Sequence, residues 1–525
     1  MGWLRRKSTD STLAFMSLCY RTDEIRAAEQ PYLSAQSRPD ELMTHAAAAV
    51  AEIVVKRWPE PMAVLTLVGS GGNGGDALYA SRDLLQQGYP VDAVIVGAKP
   101  HQRALAAFVA AGGRIVSAEN DEVLAKLGGG SYQLLIDGIV GLGGQGALRD
   151  SEGRLCYLAQ QSHIPVVAID VPSGVDADSG QAGRGAPGRA GHVQATVTVT
   201  FGGLRWAHAL SSACGEVLLR DIHLDTPTAE LPGLGATLRQ RYRDPVHFRH
   251  ALAPVADLEP MSLEPGPQDH KYSGGVTGIV AGSEQYPGAG VLCTSAAVAA
   301  TSAAVMVVGP GPVRARATAA CPTVIGQADL ARTRADAWVV GPGIGLEEQA
   351  TADLTEVLRS DLPAVVDADA LTLLAQHPQL QELVRHRRAR TLLTPHFGEF
   401  ERLRGHPVGN PIADARELAA ALHCEVLLKG RRTVIVSGGR TTVVDTGSSW
   451  AATPGSGDVL AGVLGAWLAR DGDMVHPVII HSRASYLAAA TDFGPAPCSA
   501  SDIAAQLRRA TAWFLTETNN GTISL

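Results

Sequence analysis

Short apolar runs rich in Val, Ile, Leu and Ala punctuate this chain, and a stretch of helical character follows most of them. In the first half they fall at residues 63–68, 91–96, 134–136, 165–169 and 193–201. The second half repeats the style at 277–281, 337–340, 364–366, 391–393, 426–428 and 433–437. A strand that is apolar throughout must be buried on both faces, and a helical return starts the next strand in the same direction. The alternation therefore predicts an α/β protein built on doubly wound parallel sheets with helices on either side. No short repeat relates the halves, so two different α/β domains are expected rather than one duplicated. Residues 225–268, rich in Pro, Leu and Arg and without a sustained period, read as the connection. The expected division is a loosely ordered extension over 1–18, a first domain over 19–228, a linker over 229–262 and a second domain over 263–525.

With 525 residues, 46% of them hydrophobic, the chain can fill the cores of two to four domains at about 150 residues each. Its formal net charge of -8 argues against a nucleic-acid or anionic-membrane partner. The 7 cysteines are scattered and show no Cys-x-x-Cys spacing, which argues against a disulfide framework or a zinc site and fits a cytoplasmic setting. One uncharged segment, 285–313, is long enough on paper to cross a bilayer. It is dominated by Ala, Gly, Ser and Thr, so a buried helix followed by a strand is expected there.

Chemistry concentrates at 451–462, Ala-Ala-Thr-Pro-Gly-Ser-Gly-Asp-Val-Leu-Ala-Gly. Gly455, Ser456 and Gly457 allow a tight turn that aims peptide N–H groups at one point, where a helix start adds partial positive charge and favours an anion. Asp458 would repel a resting phosphate, so its presence there suits a base that takes a proton from a hydroxyl in phosphoryl transfer. A helix N-cap is the plainer reading of the same residues. Four further loops follow predicted strands, where open α/β sheets bind ligands: 282–289, 341–345, 367–371 and 394–399. Lys429-Gly430 follows another.

In order and spacing, these loops resemble the ribokinase-like superfamily, and specifically its ADP- or ATP-dependent NAD(P)H-hydrate dehydratase branch, from about His270 to the C-terminus. The resemblance implies a ribokinase-like α/β/α domain in which Ala289, Gly343, His396 and Asp458 contact the hydrated nicotinamide. It further implies that Lys429, Gly430, Arg431, Arg432, Thr433 and Gly457 hold the nucleotide, and that Gly455, Ser456 and Gly457 form an anion hole. The implied reaction phosphorylates the C6 hydroxyl and then expels phosphate, with Asp458 as base and Mg2+ on the nucleotide oxygens. Two positions depart from the pattern: Pro322 is followed by Thr323 rather than Glu, and Phe397 replaces a commoner Pro.

In the first half, Gly69-Ser-Gly-Gly-Asn-Gly-Gly-Asp76 stands between a predicted strand and helix, as phosphate-cradling glycine loops do. An ordinary glycine-rich turn is the alternative. Two acidic loops, at 137–143 and 170–178, follow further predicted strands, which would gather their carboxylates at one sheet edge. Together these segments resemble the NAD(P)H-hydrate epimerase domain over 20–224, a Rossmann-like three-layer α/β/α sandwich. By that resemblance Asn73, Asp137 and Ser173 bind K+ and Asp170 serves the epimerisation. The substrate would be held by its phosphates, on Gly72, Asn73, Gly74, Gly75 and Asp76 and on Gly141, Leu142, Gly143, Gly144, Gln145, Gly146 and Ala147. Gly72 stands where the family has a first Asn, and Arg205 where it has a Lys.

The chain is therefore expected to be a repair enzyme for hydrated NADH and NADPH (NADHX and NADPHX). Its first domain would interconvert the R and S hydrates, and its second would dehydrate the S form with ADP, or ATP, as phosphoryl donor. Mg2+ and K+ are the implied cofactors and a homo-oligomer the implied assembly, with no nucleic-acid or membrane partner. A rival reading makes the second half a small-molecule kinase and the first a non-catalytic binding module.

Overall fold

The computed structural model describes residues 17–144, 146–225, 231–255, 257–258 and 261–520. The chain divides into two compact units, one ending at Val246 and the other starting at His247.

The N-terminal unit is built on seven parallel strands. Their spatial order is Arg114–Val116, Val91–Ile95, Val64–Val68, Leu134–Gly138, Val166–Ile169, Val197–Phe201 and Glu216–Arg220. The five inner strands are buried along almost their whole length, as the unbroken apolar runs require. The chain winds outward from Val64–Val68, then returns to its other side at Leu134–Gly138. The loops leaving these two strands therefore flank a topological switch point.

In the C-terminal unit the corresponding switch lies between Thr277–Val280 and Ala337–Val340. Beyond it the sheet runs on through Ala364–Val366, Thr391–Leu393 and Glu425–Leu428, all parallel. An antiparallel meander of Arg432–Ser437 and Arg440–Asp445 follows, and His247–His250 pairs with its outer edge. Helix Ser456–Leu468 is apolar nearly all round and is buried between the sheet and helix Pro287–Ala300.

The uncharged segment folds as expected, into helix Pro287–Ala300 and strand Val305–Val308. Among the described residues no helix is long and apolar enough to cross a membrane. Ser17 and Leu18, placed in the loose extension, belong to strand Ser17–Tyr20, and residues 1–16 lie outside the described residues. The stretch read as a linker also carries structure. Helix Leu234–Arg241 buries Leu234 and Leu238, and strand Val246–His250 spans the boundary between the units. Its short, irregular elements have no period long enough to read in sequence.

Candidate active sites

In the N-terminal unit the glycine loop and the Asp137 loop meet at the switch point. A Cβ on Gly69 would lie 1.7 Å from the Ile139 carbonyl oxygen, so only glycine lets the two loops pack. Gly74 and Gly75 are packing positions too. A Cβ on Gly74 would lie 2.2 Å from the Gly69 carbonyl oxygen, and one on Gly75 would lie 2.5 Å from the Met43 sulfur. Helix Gly72–Gln86 presses them onto its own loop and onto Met43. Gly72, Asn73 and Asp76 do line a cavity, of about 390 Å3, with Gly141, Leu142 and Gly143 across from them. Gly144 closes a turn onto the Gly141 carbonyl, Gly146 and Ala147 are exposed, and Gln145 lies outside the described residues.

Asp170 follows strand Val166–Ile169 into the same cavity. Its φ of +67° is strained for a residue with a Cβ, and the surroundings hold it there. Its N–H donates to the Val199 carbonyl (2.7 Å) and its own carbonyl accepts from His208 Nε2 (2.7 Å). The carboxylate accepts from the Thr200 hydroxyl (3.0 Å) and pairs with Arg205 (2.8 Å). The Arg205 side chain is only 2% exposed and also donates to the Phe201 and Gly203 carbonyls. Asp76 and Glu29 are the remaining carboxyls of the cavity. Burial, then the charges of Asp170 and Glu29, raise Asp76 well above the usual carboxylate range. Burial likewise raises Glu29.

Of the three expected K+ ligands, Asp137 and Ser173 touch. Asp137 accepts from the Ser173 N–H (2.8 Å) and hydroxyl (2.7 Å) and from the Ile139 N–H (3.2 Å). It is wholly buried, which pushes its carboxyl up to about 6. Asn73 faces the cavity instead. A Cβ on Gly141 would lie 3.0 Å from both Asn73 Oδ1 and Asp170 Oδ2, and Asn73 Nδ2 is a buried donor with no partner among the described residues.

In the C-terminal unit a cavity of about 470 Å3 is lined by His396, Lys429, Gly430, Arg431, Thr433 and Gly457, among others. Gly455, with φ +84°, turns the chain into helix Ser456–Leu468. The Ser456 amide donates to the Thr453 carbonyl (3.2 Å), and Ser456 lines the same cavity. The amides of Gly457 and Asp458, in the first turn, have no carbonyl four residues back within the helix. The Lys429 ammonium stands beside them, since a Cβ on Gly457 would lie 3.4 Å from its Nζ. Lys429 pairs with Asp367 (2.6 Å) and reaches Glu399 at 4.0 Å, while the Thr394 hydroxyl donates to Asp367 (2.8 Å). Burial alone would lower the Lys429 ammonium, but Asp367 and Glu399 outweigh it and the group is raised. Asp458 is half-buried beside this cluster. Burial and the Asp367 charge push its carboxyl up to about 6, against the pull of Lys429.

His396 caps helix Phe397–Arg404: its Nδ1 accepts from the Gly398 N–H (3.0 Å), and Glu399 returns a bond to the His396 N–H (2.8 Å). Gly343 has φ +62° and packs on Ala289, so closely that a Cβ would lie 2.7 Å from that of Ala289. Arg431 and Arg432 both pair with Asp445 (2.9 and 3.1 Å). Arg431 reaches the cavity, whereas the Arg432 guanidinium lies over the Phe248 ring.

Three residues of this site were not singled out in sequence. Asp367 and Glu399 were legible as acidic residues in strand-end loops. His481 was not, being one polar residue in the largely buried helix Val475–Ala489. Its Nε2 lies 3.2 Å from the Ser456 hydroxyl and 3.1 Å from the Ser456 carbonyl, and burial lowers it to about 4, so it is neutral.

Comparison with known proteins matches residues 277–506 to a family described as NAD(P)H-hydrate dehydratase, and residues 39–207 to the YjeF-related protein N-terminus. The chain is 41% identical to the bifunctional NAD(P)H-hydrate repair enzyme Nnr of Corynebacterium glutamicum, over 95% of this chain and 99% of that one. It is 44% identical to the Mycobacterium tuberculosis protein of the same name, over 86% and 89%. Among solved structures, the ADP/ATP-dependent NAD(P)H-hydrate dehydratase of Bacillus subtilis, co-crystallised with ATP/Mg2+, aligns with 48% of this chain and 94% of its own, at 26% identity and a TM-score of 0.42.

Proposed function

Since the chain belongs to the family of bifunctional NAD(P)H-hydrate repair enzymes, we propose which of its residues carry each step. Its activities are epimerisation of the R and S hydrates and nucleotide-dependent dehydration of the S hydrate to NAD(P)H. The observation that carries the assignment of the second is the placement of Asp458. Held half-buried beside Lys429, it is ionised at neutral pH yet basic enough to take the proton of the C6 hydroxyl. The first-turn amides of Gly457 and Asp458 and the Lys429 ammonium meet the charge of the transferring phosphoryl group. Phosphorylation turns hydroxide, a poor leaving group, into phosphate, a good one, and its departure from C6 with loss of a proton from C5 restores the dihydropyridine.

Lys429, Gly430, Arg431, Thr433 and Gly457 would hold the nucleotide, ADP or ATP, in the cavity they line. Ala289, Gly343 and His396 would receive the hydrated ring. Asp367 and Glu399 offer the hard oxygen donors that Mg2+ on the nucleotide phosphates prefers, and Mg2+ would supply neutralising charge there.

In the N-terminal unit Asp170, paired with Arg205, acts on the C6 centre. Asp137 is a buried carboxylate bonded to neutral donors, and its oxygens with those of Ser173 would suit K+, Asn73 Oδ1 being the third oxygen if its side chain turned from the cavity toward them. Three carboxyls, Glu29, Asp76 and Asp170, line this cavity, so beside 72–76 an uncharged ring fits better than the phosphates expected there. The phosphates would lie outward along Gly141, Leu142 and Gly143, where Arg26 donates to the Leu142 carbonyl (3.0 Å).

The test follows the return of reduced-nicotinamide absorbance from mixed-epimer NADH hydrate with Mg2+, K+ and ADP or ATP. Full recovery is expected from the native protein and almost none from Asp458→Asn. Recovery without nucleotide would overturn the phosphorylation step.

A further inference from the structure

Two carboxyls enter the N-terminal cavity from opposite sides of one strand. Asp76 stands in the second turn of helix Gly72–Gln86, which follows Val64–Val68, and Asp170 follows Val166–Ile169. Leu134–Gly138 lies between those strands, so the loops that carry the two groups start about 9–10 Å apart, with the cavity between them. Their environments differ. Asp170 is tied by the Arg205 guanidinium and the Thr200 hydroxyl, donors that hold it as an acceptor. Asp76 makes no hydrogen bond or ion pair among the described residues, and its nearest charges are the carboxyls of Asp170 and Glu29. The cavity that both groups enter also has an apolar lining, of Leu33, Leu42, Met43, Ala46 and Phe201.

We infer that Asp76 is the general acid of the epimerisation, paired with Asp170 as its base. The inference rests on the epimerase reading of this cavity. Asp170 removes the proton of the C6 hydroxyl as the C6–O bond becomes a carbonyl and the C6–N1 bond breaks. The released electron pair goes to N1, and Asp76 delivers its proton there. Rotation about C5–C6 then turns the other face of the aldehyde to N1. As N1 attacks C6, its proton returns to Asp76, and the proton on Asp170 returns to the oxygen. The product is the opposite epimer, and no co-reactant is consumed. Burial and the two like charges raise Asp76 and so favour its protonated form. Such opposed environments for two carboxyls in one cavity separate an acid from a base.

The test uses the full-length protein and the isolated R hydrate of NADH, with K+ and without nucleotide, and reads formation of the S hydrate by chromatography. Asp76→Asn is expected to lower kcat by about 100-fold or more with little change in KM, and to abolish the alkaline limb of the kcat–pH profile. Asp76→Glu should restore part of the rate and keep that limb. Undiminished dehydration of the S hydrate by the same variants would establish that they are folded. A rise in KM with native kcat in Asp76→Asn would overturn the inference, as would an alkaline limb that persists unchanged. Asp170→Asn is the control for the underlying reading. If it too epimerises at the native rate the epimerase assignment fails, whereas loss in Asp170→Asn alone refutes only the role of Asp76.

Discussion

At the scale of residues, the C-terminal site depends on the balance of charges around Asp458. Its carboxyl lies at about 6 because burial and Asp367 raise it more than Lys429 lowers it. A base works in its ionised form, so kcat for dehydration is expected to fall about tenfold as pH drops from 7 to 5. Removing Lys429 removes the one group among the main contributors that lowers Asp458. Lys429→Gln, assayed at saturating nucleotide, should therefore move the acid limb above pH 6, and a limb that stays in place would count against Asp458 as the titrating base. Asp458 and Lys429 were legible from their neighbours in sequence, a Gly-Ser-Gly turn and a strand end. The partners that tune them were not, because Asp367, Glu399 and His481 meet them only through strands and helices far apart in the chain.

Secondary-structure elements reach their positions through close backbone contacts that glycine alone permits. Helix Ser456–Leu468 crosses helix Pro287–Ala300 at Gly462, where a Cβ would lie 2.1 Å from the Cys293 carbonyl oxygen. Overpacking such a contact costs about 1–3 kcal/mol, more than the ~1 kcal/mol that Ala gains over Gly in a helix. Gly462→Ala is thus expected to lower the denaturant midpoint of the C-terminal unit while leaving epimerisation unchanged, as separate activity readings during unfolding would report. The strands were readable because burial on both faces makes them apolar throughout, and the predicted ends fall within a few residues of those found. Short edge strands such as Arg114–Val116, and the meander strand Arg440–Asp445, escaped because they are partly exposed or bear Thr and Arg. The glycines of 72–76 illustrate the limit of motif reading, since the spacing of Gly74 and Gly75 cannot say whether they face a ligand or a neighbouring loop.

For the whole molecule, each unit has its own hydrophobic core and its own cavity. The R and S hydrates are small and diffusible, so two variants each lacking one activity should complement in solution. A mixture of Asp170→Asn and Asp458→Asn is expected to recover the R hydrate completely with nucleotide present, at a rate that rises with the concentration of both. Recovery no better than the uncatalysed epimerisation allows would show that the two steps must occur on one chain. The pattern of apolar runs determined two α/β sheets, and the loops after those runs determined the kind of chemistry, because ligands gather where parallel strands end. Only the tertiary structure decided which loop residues face a cavity, which amides are spent on a neighbouring carbonyl and which carboxyls are raised by burial. Those properties arise from packing and desolvation between segments brought together by folding, and no local stretch of the chain contains them.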